Sequence, residues 1–133
     1  HTYLNISDIA NVKITGMQDC LFADKVRKYQ REVEHDVLKF DGEFDRVYIN
    51  HSSDCVVHDT GFNRLIKVSK SGSDTTVVWN PGAEKASALT DMGTADEWRK
   101  TLCVETTNAL DNMVVINPGR THVLSAEYAI ETL

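Results

Sequence analysis

The fold class this sequence predicts is an all-β antiparallel sandwich, and three observations predict it. Apolar and polar residues alternate with period two in many short runs. Turn signals built from Gly, Pro, Asn, Asp and Ser interrupt those runs about every ten residues. Only 83–89 and 95–100 could form helical turns, and both are short.

The elements follow in order. Residues 1–6 alternate as one strand, with His1, Tyr3 and Asn5 on one face and Thr2, Leu4 and Ile6 on the other. Across 8–15, Val12 and Ile14 face one way and Asn11, Lys13 and Thr15 the other, until Gly16 ends the run. A short strand is expected at 20–22. Residues 24–36 carry Lys25, Arg27, Lys28, Arg31, Glu32, Glu34 and Asp36 without a clean period. They suit a solvated loop or an irregular hairpin, and the interleaved acids weigh against a basic binding patch. Asp41-Gly42 predicts a hairpin between 37–40 and 46–50, and Asp59-Thr60-Gly61 another between 55–58 and 62–69. Ser71-Gly72-Ser73-Asp74 turns the chain into 75–79, and Asn80-Pro81-Gly82 stops that strand. After the helical turns come 101–107 and a short strand at 113–116. Asn117-Pro118-Gly119 then turns into 121–130, where Leu124, Ala126, Tyr128 and Ile130 make an apolar face. No linker, repeat or low-complexity segment interrupts 1–133, so a single domain is expected.

Composition narrows the function. The 133 residues are 41% hydrophobic and 26% charged, ordinary for a soluble domain with a real core. The net charge of −6 argues against a nucleic-acid partner. No apolar run approaches the roughly 20 residues that span a bilayer, so no membrane partner is expected. Cys20, Cys55 and Cys103 are an odd number without framework spacing, which favours a cytoplasmic location over a disulfide scaffold. Asn5-Ile6-Ser7 and Asn50-His51-Ser52 match the glycosylation sequon by chance in that setting.

Two stretches carry chemistry. In Thr101-Leu102-Cys103-Val104-Glu105-Thr106-Thr107, alternation sets Cys103 and Glu105 opposite Leu102 and Val104. A carboxylate within such a strand is costly unless it is paired, used, or turned to solvent at a sheet edge. The opening strand, with one face of His, Tyr and Asn, suits a sugar site.

These stretches, with Phe44-Asp45-Arg46-Val47-Tyr48, Phe62-Asn63-Arg64 and Val78-Trp79-Asn80-Pro81-Gly82 between them, occur in an order that resembles the C-terminal half of the hexose-6-phosphate mutarotases. These are also called glucose-6-phosphate 1-epimerases and belong to the aldose 1-epimerase, or galactose mutarotase-like, superfamily. The resemblance covers nearly the whole chain. It implies that the sandwich is part of a supersandwich and that the substrate is a hexose phosphate or related sugar. The implied reaction exchanges α and β anomers by acid–base catalysis without a cofactor or metal. By the same resemblance His1 is the acid, Glu105 the base, and Asp45 a ligand of sugar hydroxyls. A carboxylate is ionised at neutral pH and imidazole can carry a proton, so the residue types fit these roles. A strand-capping role is the alternative for Asp45. Trp79 and Asn80 line the site or fill the core, with core filling favoured for Trp79.

Family members are about twice as long, and their earlier strands carry the phosphate-binding arginines and a second active-site His. Arg46, Arg64 and Arg99 are the candidates to substitute. An incomplete sandwich implies self-association through an exposed edge at the first strand, with Leu4 and Ile6 uncovered. The alternative to an enzyme is a non-catalytic sandwich that binds carbohydrate or another copy. His51, Cys55 and His58 have a superficially metal-like spacing, but alternation points His58 away from the other two, so no metal is expected. A free amino group at His1 would disfavour a second positive charge on its imidazole.

Overall fold

Two antiparallel sheets face each other across one apolar layer in the computed structural model, which describes residues 1–93 and 96–133. The strands are β1 (Tyr3–Asn5), β2 (Val12–Thr15), β3 (Leu21–Asp24), β4 (Gln30–Val33), β5 (Phe44–Ile49), β6 (Cys55–Asp59), β7 (Arg64–Ser71), β8 (Thr75–Asn80), β9 (Thr101–Thr107) and β10 (Ser125–Thr132). One sheet has the order β1-β9-β8-β5-β3-β4 and the other β10-β7-β6-β2. The one α-helix among the described residues, α1, spans Gly82–Ala88. A 3-10 turn covers Glu97–Lys100; the expected start of that turn at Ala95 lies outside the described residues. Among the described residues no helix is long and apolar enough to cross a membrane.

Alternation decides what fills the layer between the sheets. Leu102 and Val104 of β9, Val78 of β8, Tyr48 and Phe44 of β5 and Phe22 of β3 point inward from the larger sheet. Ile14, Val57, Ile66 and Val68 meet them from the smaller one. Ile6, Ile14, Met17, Tyr48, Val57, Val78, Leu102 and Val104 are fully buried. The residues between them in sequence therefore face outward, and that outward face of the larger sheet carries the site.

Several expectations are corrected. Ile6 is fully buried and Leu4 packs against the core, not against solvent. The Ile6 amide donates to Lys100 O at 2.9 Å, which holds the chain against β9 and carries both side chains inward. The stretch 37–40 is not the hairpin partner of β5. Both edges of β5 are occupied by β3 and β8. Leu38 instead makes a single bridge to Ile14. Residues 113–116 form no strand, and Met113 and Val115 are exposed, because apolar β-formers still need a strand edge to pair with.

The charged stretch 24–36 is a hairpin of β3 and β4 whose tip places Lys28 and Tyr29 at positive φ. It is not wholly solvated. Asp24 and Glu34 are buried beside Arg46, whose guanidinium lies over the rings of Phe22 and Phe44. At Gly72, φ is +70° and a Cβ would run into Val123 O, so only glycine allows 123–124 to lie against this turn.

Candidate active site

Register alone brings the outward residues together. Tyr3 of β1 lies opposite Cys103 of β9, Cys103 opposite Trp79 of β8, and Trp79 opposite Asp45 of β5. One pair further, Glu105 lies opposite Val77. Two residues before Tyr3, the same antiparallel register sets His1 beside Glu105. The chain just past β3 closes the row, since the Lys25 amide donates to Asp45 O at 2.8 Å. His1, Tyr3, Lys25, Asp45, Val77, Trp79 and Glu105 line one concavity of about 180 Å³.

His1 Nδ1 and Glu105 Oε1 are 3.1 Å apart. The imidazole is 87% exposed while the Glu105 side chain is 11% exposed. Burial holds the Glu105 carboxyl above the usual range; Lys25 pulls it down, and Asp45 pushes it up. Its protonation is therefore set first by burial and then by the charged neighbours on the concavity. Asp45 is buried, and its Oδ2 receives the Lys25 ammonium at 3.1 Å. Its Oδ1 is buried and finds no hydrogen-bond partner among the described residues. An acceptor left this way is costly until a donor arrives. The capping role considered for Asp45 gives way to this arrangement: the residue lies within the β5 ladder, and its carboxylate takes a side-chain cation.

The walls are aromatic. The Tyr3 and Trp79 rings meet edge to face, with centroids 6.1 Å apart and planes at 82°. Trp79 is only half-buried and lines the concavity, so it is not simply core filling. Asn80, one residue on, faces the other way and is fully buried. It donates to Trp98 O and Thr101 O and accepts from the Gly82 amide, which anchors the start of α1. Cys103 is buried on the same face as Glu105. Burial and the nearby Glu105 push its thiol up to about 12, so it is no nucleophile here.

The candidate arginines lie elsewhere. Arg46 faces the sandwich interior. Arg64 pairs with Asp59, and Arg99 with Asp8. Lys25 is the lysine at the concavity. It sits inside an apparently aimless charge run, and only the β3–β5 pairing reveals its position. His51 and His58 are engaged separately. His51 donates from Nε2 to Gly16 O at 3.0 Å and accepts at Nδ1 from Thr76 Oγ1 at 2.8 Å. His58 bonds Thr15 Oγ1 from a different sheet row.

Fold and site together define a β-sandwich protein with a His–Glu pair, a buried carboxylate and aromatic walls on one sheet face. A profile of the aldose 1-epimerase family matches residues 1–129, and the chain belongs to that family. It is 34% identical over 120 residues to a protein of Cenchrus ciliaris described as a "putative glucose-6-phosphate 1-epimerase", covering 90% of this chain and 36% of that one. A protein of Salmonella typhimurium with the same description is 39% identical over 110 residues, covering 82% and 37%. The crystal structure of a "putative mutarotase" from Salmonella typhimurium superposes with a TM-score of 0.74 at 39% identity, over 80% of this chain and 36% of that chain. A second solved structure, at 24% identity and a TM-score of 0.73, shares the fold over 98% of this chain. The chain spans between 36% and 42% of the length of four curated relatives it matches.

Proposed function

We propose that this chain carries the acid–base pair and a hydroxyl-binding carboxylate of an aldose 1-epimerase that interconverts the α and β anomers of a hexose 6-phosphate. The observation that carries the reading is the His1–Glu105 contact at 3.1 Å on a concavity shared with Asp45.

The reaction needs proton transfer at the two oxygens, O1 and O5, of one carbon. Glu105, as carboxylate, takes the proton from the O1 hydroxyl while the O1 electrons form the C1 carbonyl. The C1–O5 bond breaks, and its electron pair takes a proton from the imidazolium of His1. Rotation about C1–C2 presents the other carbonyl face. O5 re-adds and returns its proton to His1, and Glu105 returns the first proton to O1. Nothing is consumed. The sugar displaces the direct His1–Glu105 contact, with O1 at one group and O5 at the other. Each well-placed acid or base contributes roughly 10²–10⁴-fold. The unpartnered Oδ1 of Asp45 accepts a ring hydroxyl, and Tyr3 and Trp79 supply apolar walls for the sugar's C–H faces.

One observation favours a second reading. The His1 imidazole is 87% exposed, and an acid open to water suits a hexose-binding surface without turnover. NMR exchange spectroscopy on α-glucose 6-phosphate separates the two. Anomer exchange above the solvent rate, abolished by Glu105→Gln, supports the enzyme. Saturable sugar-induced shifts with exchange at the solvent rate support the binding module.

A further inference from the structure

The concavity contains one more charged group than the acid–base pair and Asp45 require. Lys25 follows β3, is tied to β5 through its amide, and places its ammonium 3.1 Å from Asp45 Oδ2. Its side chain is 38% exposed, so the ammonium lies where the concavity opens. Asp45 is thereby held asymmetrically: one oxygen is clamped, and the other is buried and vacant of partners among the described residues.

We propose that Lys25 is a positioning residue of this site, clamping Oδ2 of Asp45 so that Oδ1 stays open to a sugar hydroxyl, and balancing the Asp45 charge that faces Glu105. The proposal rests on the aldose 1-epimerase reading of the same concavity.

Two physical arguments carry it. A carboxylate turns readily about its last side-chain bond. A cation on one oxygen removes that freedom and fixes where the other acceptor points. A hydroxyl both donates and accepts, so a sugar oxygen at Oδ1 can also receive a proton of the Lys25 ammonium. The second argument is charge. Facing Glu105 are the His1 imidazole, Lys25 and Asp45, with the Tyr3 phenol and Cys103 thiol close by. Lys25 favours the ionised base and Asp45 opposes it. Without Lys25 the Asp45 charge would be less opposed, and Glu105 would hold its proton to higher pH.

The experiment is a carboxyl ¹³C NMR titration of Glu105 in the wild type, Lys25→Met, Lys25→Arg and Asp45→Asn, with glucose 6-phosphate affinity read from the same samples. In K25M the Glu105 midpoint moves to higher pH and affinity falls roughly tenfold or more. K25R restores most of both. A folded K25M with midpoint and affinity at wild-type values overturns the proposal. Should K25M fail to fold, D45N decides: its Glu105 midpoint falls below the wild-type value, and an unmoved midpoint overturns the proposal. Wild-type anomer exchange at the solvent rate would defeat the catalytic reading alone, since the titration does not depend on turnover.

Discussion

Arg46→Met tests whether Arg46 serves the fold or the substrate. Its guanidinium donates to Glu34 Oε2 at 2.7 Å and approaches Asp24 Oδ2 at 3.5 Å. It also lies 4.2 Å and 4.5 Å from the ring centroids of Phe22 and Phe44. Methionine keeps an apolar stem between the rings but removes the charge. Asp24 retains Arg27 and two backbone amides, so its loss is small. Among the described residues, the side-chain hydrogen bond that Glu34 retains is from the Tyr48 hydroxyl at 3.0 Å. Breaking a buried pair by removing one partner costs about 3–5 kcal/mol, and the partial compensation puts this case near the lower end. For a chain of this size, about 3 kcal/mol lowers Tm by roughly 10–15 °C. Thermal and urea unfolding by far-UV circular dichroism measure the loss. Below the transition, the variant binds glucose 6-phosphate as the wild type does. Adding Glu34→Gln recovers much of the stability, because the stranded charge is gone. A variant with unchanged Tm but weakened glucose 6-phosphate binding would refute this reasoning and return Arg46 to the role of phosphate anchor.

Three further outcomes are expected. Glu105→Gln lowers anomer exchange by about 10²–10⁴-fold, yet stabilises the fold at neutral pH. The native carboxyl is raised, so its burial penalty is present above the folded pKa and absent below the ordinary Glu value; paired melts at acidic and neutral pH should show the advantage only at neutral pH. Lys70 is lowered to about 8, chiefly by burial, so the unfolded chain binds the extra proton between about 8 and its ordinary 10.5; in that window wild-type stability rises with pH relative to Lys70→Met, and parallel urea curves check the slope. Self-association is expected on the side where β1 and β10 end their sheets, because Ile130, which faces inward from β10, is 67% exposed opposite a three-residue β1. Light scattering should give a dimer mass, Ile130→Lys should shift it toward monomer, and a strictly monomeric wild type contradicts the expectation.

Much of this protein is legible from local pattern. Period-two alternation assigns Leu102 and Val104 to the core and Glu105 to the opposite face, because a strand can present its side chains in only two directions. The turn residues at 59–61 and 71–74 bound their strands correctly for the same local reason. Pairing is not local. Asp41-Gly42 bends the chain but closes no hairpin, because β5 takes β3 and β8 as neighbours. Residues 113–116 have strand composition but no edge to join. Trp79, Lys25 and Asp45 become neighbours only through the register of β8 on β5 and the bond from the Lys25 amide, so their meeting could not be read from alternation, although the motif around Asp45 singled that residue out. Arg46 shows the same limit in reverse. It adjoins Asp45 in the chain, but alternation and the Glu34 carboxylate turn it to the interior. Composition and periodicity set each strand's two faces; the order and register of the strands, a long-range result, set which faces meet and therefore which charges share the site.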